Sequence, residues 1–397
     1  MKKLSVLKNI KVDKNIKLYL IYLQHFVNDI HISFLQTFIP FLIENIGISV
    51  TQAGVLTSLP GLFNMFLQPV IGFLSDRSLR PFMIVFGPLL TALGASLIPS
   101  STSFGSALVL VSIWGLGNAV FHPQGHGAVG YVGEIEKIPV QLAVFSMAGI
   151  LGSSLSPLYA AFLFKYFREL PLSLFPVIPV IFTGTIFWIF APYIRKSIKG
   201  SQRQSDNFLI TMEKILHKIW PVWIVTFLKD ICNHGIKFLL PLLVALRGGG
   251  IEKVGLSLFL IQIAKVLSPL LAGRFALVHG KKKVLIVTQG LAPFLLFPEL
   301  FFTGWIPFAS FMLGNALLVS SSPILVAKAQ QEAPGAKSTA TSLLMGVAYG
   351  LSGLLMTLVG LVVDTQGIIT AFSIVLLFPL INVFIIIFKW PRGERSF

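Results

Sequence analysis

Apolar residues run through this chain in blocks of about twenty, from residue 18 to residue 388, each closed by a short polar or Gly/Pro-bearing stretch. A block of that length matches the ~20 residues a helix needs to cross the hydrocarbon of a bilayer. The pattern predicts twelve spans, at 18–43, 51–74, 82–99, 106–128, 139–164, 173–194, 219–245, 254–276, 283–301, 304–327, 339–363 and 368–388. The predicted fold is therefore an all-α polytopic membrane protein. Polar residues interrupt some blocks at helical steps. His25, Asn28, Asp29, Ser33 and Gln36 fall on one face of the first span, and Thr226, Asp230, Asn233, His234 and Lys237 repeat that face in the seventh.

The two faces belong to a longer repeat. Asp29, Pro40 and Gly72 recur 201 positions later as Asp230, Pro241 and Gly273, and Asn64 maps onto Lys265 in the same way. Leu116-Gly117-Asn118-Ala119 in span four recurs as Leu313-Gly314-Asn315-Ala316 in span ten. The shift is half of the 397 residues, which predicts two pseudo-symmetric six-helix bundles with a site between them. The bundles are expected at 1–194 and 219–397, joined by a polar linker at 195–218 that continues as an interfacial helix from Met212 to Lys218.

Composition agrees with a membrane protein and excludes a soluble one. Only 12% of the residues are charged and the mean hydropathy is +0.84, against about 25% charged in a soluble domain. The net charge of +16 suggests nucleic acid only until its distribution is read. Numbering the connections alternately from the N-terminus, one set carries 24 Lys and Arg and the other only Lys165, Arg168, Arg247 and Lys253. This is a positive-inside bias, with both termini cytoplasmic in a cell (plasma or inner) membrane. The lone Cys232 excludes an internal disulfide and a cysteine metal cluster. The basic N-terminus reads as the flank of a retained first span, since no small-residue cleavage site follows.

Ionised groups inside spans are costly and mark function more often than packing. Asp29, Asp230, Lys229, Lys237 and Lys265 are such groups, and Glu299 lies near the end of span nine. Span four adds Asn118, His122 and His126 at steps of four. These stripes are expected to meet across a wet cavity, with Asp29, Asp230 and His122 as proton sites. His25, Asn28, Gln36, Asn64, Asn118, His122, His126, Lys229, His234, Lys237, Lys265 and Asn315 are the candidates for substrate contact. The same groups could instead hydrogen-bond one helix to the next. His122 and His126 have the spacing of a zinc pair, but no third ligand is evident, so neither a metal nor a cofactor is expected. No His-Glu-x-x-His, Gly-x-Ser-x-Gly or phosphate-binding loop is present, which argues against an enzyme or direct ATP drive.

The loop Gly72-Phe73-Leu74-Ser75-Asp76-Arg77-Ser78-Leu79-Arg80-Pro81 resembles the signature of the major facilitator superfamily. Leu79 stands where that signature has a glycine and Pro81 where it has a basic residue. The resemblance implies that Gly72, Asp76, Arg77 and Arg80 gate the cytoplasmic ends, with Gly273 to Lys282 a degenerate copy. Gly152, Ser156, Pro157, Ala160 and Ala161 resemble the Gly-x-x-x-Gly-Pro-x-x-Gly-Gly signature of proton-driven antiporters, small residues that let helices approach. His25-Phe26-Val27-Asn28-Asp29, Gln68-Pro69-Val70-Ile71-Gly72 and Gly115 to Pro123 resemble the fosmidomycin-resistance efflux branch, over spans one to five. Gln124 stands where members of that branch often carry an acid. The resemblance implies proton-coupled export of a small, often anionic, toxic compound, and a monomer is expected because one chain holds the whole path. An uptake carrier for an organic anion in the same fold is the alternative.

Overall fold

The computed structural model describes residues 14–77, 81–132, 138–167, 174–195, 208–332, 340 and 343–390. It is all helix, with no strand among the described residues. The first bundle comprises α1 (Lys14–Asp29, resuming as Phe34–Ile46), α2 (Val50–Arg77), α3 (Pro81–Leu97), α4 (Phe104–Val132), α5 (Ile138–Phe167) and α6 (Leu174–Arg195). The second comprises α7 (Phe208–Leu246), α8 (Ile251–Ile263, resuming as Ser268–His279), α9 (Lys281–Leu296), α10 (Trp305–Ser320, resuming as Ser322–Glu332), α11 (Leu343–Ala348, Tyr349–Leu354 and Met356–Gln366) and α12 (Ile368–Lys389).

Eight described helices are long and apolar enough to cross a bilayer unaided. The other four spans, α2, α6, α7 and α8, fall short for local reasons. In α6 the described side chains cover only Phe175–Phe190, an apolar helix shorter than a full span. In α2, α7 and α8 polar residues interrupt the block, and each of the three touches the opposite bundle. A helix that packs on protein rather than lipid can hold polar groups that hydrocarbon would reject.

The start of α7 lies earlier than the sequence pattern places it. The helix is already formed at Phe208 and runs without a break into the span. Ile215 and Ile219 are buried in the core of the second bundle, while Glu213, Lys214, His217 and Lys218 stay exposed. That is an amphipathic stretch lying against its own bundle, and it covers the 212–218 segment read from the sequence as an interfacial helix.

The two bundles share one core at the end away from the termini. Phe34, Phe38 and Leu42 of α1 pack there in one cluster with Leu56 of α2, Leu239 of α7, Val254 of α8, Met356 of α11 and Phe372 of α12. Towards the terminal end each bundle has its own core. Ile21, Ile84, Phe121 and Phe145 make one, and Ile219, Leu285, Leu325 and Ile386 make the other. Among the described residues the halves are therefore fused at the far end and separately packed at the terminal end.

The seam runs along α2 and α11. Gly61 and Gly350 face one another so closely that a Cβ on either would strike the partner backbone. Ser58 Oγ lies 3.0 Å from the Gly353 carbonyl oxygen and 3.1 Å from Thr357 Oγ1. At the far end Asp364 of α11 caps the first turn of α2. Its carboxylate accepts from Val50 N–H at 3.0 Å, Thr51 N–H at 2.7 Å and Thr51 Oγ1–H at 2.6 Å. Helix N-termini present unpaired N–H groups and positive potential, so an acid there is stabilising. A second clasp joins α5 to α8, where Lys165 Nζ sits 3.0 Å from Glu252 Oε1. That pair is exposed and contributes little.

Asp364→Ala removes a cap worth about 1 kcal/mol, enough to shift a two-state equilibrium about fivefold towards separation of the far ends. Spin labels at Ser103 and Thr303, both exposed in far-end loops, report that separation by pulsed electron resonance. An unchanged distance distribution would show that the cap holds nothing shut.

Candidate functional site

The first half of the site forms where α1 breaks. Residues 30–33 leave the helix as a turn, with Ile32 N–H donating to Asp29 O at 3.0 Å. Ser33 N–H donates instead to Ser156 Oγ of α5 at 2.9 Å. In a membrane such freed groups must be met by protein, and Ser156 meets this one. Gly152 lies one turn earlier, with no room for a Cβ between it and the backbone of Phe26. Pro157 packs its carbonyl against Gly255 of α8. The three packing candidates of α5 thus touch α1 on one side and the second bundle on the other.

At the break Asp29 is buried among polar partners. Asn28 Nδ2–H donates to Asp29 Oδ1 at 2.9 Å. His25 Nε2 is 3.3 Å from Asp29 Oδ2, and His122 Nε2 of α4 is 3.7 Å from Asp29 Oδ1. Asn118 Oδ1 accepts from His122 Nε2–H at 3.0 Å and from Asn28 Nδ2–H at 3.2 Å. Thr91 of α3 closes the network by donating to Asn28 Oδ1 at 3.0 Å. His126, one turn beyond His122 on α4, is exposed and stands 4.8 Å from the Phe145 ring, centre to centre.

The hydrogen count at this cluster is fixed by His25. Its Nδ1 lies 2.7 Å from the Phe145 carbonyl oxygen of α5. A carbonyl only accepts, so Nδ1 carries the hydrogen. Neutral imidazole then has a bare lone pair at Nε2, aimed at a carboxylate oxygen that also only accepts. The contact is favourable only when a proton, or another cation, lies between them. His25 and Asp29 are therefore built to share one positive charge more than neutral imidazole and ionised carboxylate supply together.

The second half of the site differs despite the repeat. Asp230 does not gather histidines. It takes Lys229 Nζ at 2.7 Å, and that ammonium also donates to Ser322 Oγ of α10 at 2.8 Å. Lys265 stands at the break in α8 and is 8% exposed. Its Nζ donates to Asn233 Oδ1 at 3.3 Å and Gln262 Oε1 at 3.4 Å, both neutral. No carboxylate among the described residues pairs with it. Gln262 in turn donates to the Ser153 carbonyl oxygen of α5 at 3.3 Å. One turn earlier on α5, Gly149 lies against His25 and Asp29. One helix thus touches the acid cluster of the first bundle and the lysine pocket of the second.

The remaining candidates lie apart from these groups or only beside them. His234 stacks near Tyr349, with ring centres 4.3 Å apart, and Lys237 is half-buried one turn beyond. Asn64 accepts from Gln68 Nε2–H at 3.0 Å within α2. Gln36 follows the turn at 30–33, on the second segment of α1, and its Oε1 has no partner among the described residues. Asn315 is wholly buried, and neither of its amide atoms has a described partner, whereas its repeat mate Asn118 is central. Gly72, Asp76 and Arg77 end α2, but their side chains, and Arg80 entirely, lie outside the described residues. In the degenerate copy of that loop, Lys281 Nζ donates to Gln331 Oε1 at 2.8 Å and Lys282 Nζ to Ile387 O at 2.9 Å. Both contacts stay inside the second bundle.

Sequence patterns missed Thr91 and Gly149, which carry no charge and break no period. They also missed the buried amide network of the second bundle. There Asn382 Nδ2–H donates to Gln289 Oε1 at 3.0 Å, and Gln289 Nε2–H donates to Ser321 Oγ at 3.0 Å.

The family model described as Major Facilitator Superfamily matches residues 21–357. The Fosmidomycin resistance protein of Escherichia coli (strain K12) is 26% identical over 368 residues, 91% of this chain and 90% of that protein. The Multidrug resistance protein MdtG of Proteus mirabilis (strain HI4320) is 23% identical over 71% of this chain and 72% of its own. Among solved structures, a bacterial homolog of the human lysosomal transporter Spinster, inward-facing and occupied, superposes with a TM-score of 0.75. It does so at 13% identity over 93% of this chain and 95% of that one. That likeness concerns the fold.

Gly149→Ala drives a methyl group into His25 and Asp29, and overpacking of this kind costs about 1–3 kcal/mol. Its melting temperature in detergent should fall by several degrees, while Gly273→Ala, with open space around it, should leave the transition in place. Equal melting curves would mean that the cluster spreads without cost.

Proposed function

Because this chain belongs to the major facilitator superfamily, we propose that it is a proton-coupled exporter of a small organic anion. That it is a transporter embedded in the membrane, not an enzyme, follows from the family and its relatives. The proton site is the observation that carries the finer reading. His25 and Asp29 face one another with one hydrogen too few. A proton entering there turns a repulsive contact into a strong one, and its release reverses the change. His122, with 21% of its side chain exposed, connects the pair to the open side of the cluster.

The anion reading rests on Lys265. A buried ammonium held only by neutral oxygens leaves a desolvation cost of several kcal/mol unmet. A carboxylate or phosphonate bound beside it offsets that cost. Lys229 is already engaged by Asp230, so Asp230 serves that ion pair and Asp29 carries the proton. Substrate on Lys265 draws the ammonium from Gln262, whose amide holds the Ser153 carbonyl of α5, one turn from Gly149 and the His25–Asp29 pair. Proton and anion thus act on the same helix from opposite bundles. The two bundles, 1–194 and 219–397, rock against one another to expose the site alternately, with the far-end seam closed in one state and parted in the other. Placing the basic connections in the cytoplasm makes the described conformation the one closed to the outside. The names of the two resistance proteins support removal from the cell over uptake.

In vesicles with an imposed pH gradient, Asp29→Asn should abolish pH-driven flux of a phosphonate such as fosmidomycin while sparing substrate exchange. Coupled flux that survives would move the proton to Asp230. Lys265→Gln should weaken phosphonate transport at least tenfold and leave a neutral or cationic drug untouched. Loss of cation transport with anion transport intact would make a cationic drug the better substrate.

A further inference from the structure

The groups that share a proton at the break of α1 also have the chemistry and spacing of a transition-metal site. One ligand atom from each of His25, Asp29 and His122 lies within 4.8 Å of the other two. Zinc takes nitrogen and carboxylate oxygen at ~2.0–2.1 Å in a tetrahedron, which sets neighbouring ligand atoms about 3.3 Å apart. His25 Nε2 lies 3.3 Å from Asp29 Oδ2 and His122 Nε2 3.7 Å from the other carboxylate oxygen, Oδ1, so the carboxylate offers one oxygen to each imidazole and the three groups draw in around an ion.

Second contacts prepare the ligands. His25 Nδ1–H is held by the Phe145 carbonyl, the outer-shell arrangement that orients a metal-bound imidazole and leaves Nε2 free to coordinate. His122 can turn its Nε2 lone pair inwards without orphaning its neighbour, because Asn118 Oδ1 keeps the Asn28 amide as a donor. Asn28 fixes the carboxylate from its other side. An ion has a way in past the partly exposed His122 and the exposed His126. Three protein ligands leave a fourth corner for water or an anion, the plan of an open rather than a structural site.

We propose that His25, Asp29 and His122 form a three-ligand site for zinc or a similar divalent transition metal. It requires no ionic chemistry beyond what the cluster already lacks. Two acceptors face each other there, and either a proton or a metal ion satisfies them, so the metal and the proton compete for one place. The assignment concerns binding alone and stands or falls apart from the direction or substrate of transport.

The test uses the untagged full chain, purified in detergent and stripped with a chelator, titrated with Co2+ as a spectroscopic stand-in for zinc. One equivalent should bring up the intense visible bands of tetrahedral Co2+, and Zn2+ should displace them. Separate His25→Gln and His122→Gln variants should each weaken binding at least tenfold. His279→Gln, at the exposed end of α8, should match the wild type. Should His25→Gln fail to fold, His122→Gln, at the accessible edge, decides alone. Absence of the bands in the wild type, their persistence in His122→Gln, or their loss in His279→Gln would each overturn the assignment.

Discussion

A charge buried in a membrane has no water to fall back on, and the architecture around the midplane follows from that shortage. Each ionised or hydrogen-bonding group in a span has to be met by another span. Asp29 is met from α1 and α4, Lys229 from α7 and α10, and the freed amide of Ser33 from α5. These contacts fix which helices can be neighbours. They also explain why α1 and α8 break where they do, since a turn in the middle of a span exposes backbone groups that only protein can satisfy.

The same constraint separates two kinds of place in the bundle. Along the far-end seam the polar contacts are complete. Asp364 receives three donors, and the glycines of α2 and α11 bring the backbones together. At the centre the contacts are deliberately short of a partner. His25 and Asp29 lack a proton between them, and Lys265 lacks a counter-charge among the described residues. A site that is complete only with its cargo changes energy when the cargo arrives.

Pseudo-symmetry sets the stage for this division and then departs from it. The repeat places Asp29 and Asp230 at equivalent points and Asn64 opposite Lys265. Their surroundings are not equivalent. Asp29 gathers two imidazoles, whereas Asp230 gathers a lysine ammonium. One half therefore sets a carboxylate among imidazoles and the other sets one beside an ammonium.

The sequence alone determined the class of molecule. Block length, charge scarcity and the one-sided placement of Lys and Arg specify a polytopic helical protein, because the bilayer imposes its thickness and polarity on every span alike. The repeat of 201 residues specified two halves, and the polar stripes named Asp29, His122, Asn118 and Lys265. What the stripes could not supply was the partner of each group. A helical face tells which way a side chain points only while the helix continues, and the turn at 30–33 interrupts α1 between Asp29 and Gln36. Thr91 and Gly149 were silent because a hydroxyl or a missing methyl has no periodicity. Only the packing of α3 and α5 against α1 gives them a role. The tautomer of His25 lies furthest from the sequence. It depends on one carbonyl, Phe145 O, 120 residues away, and a backbone oxygen carries no sequence signal at all.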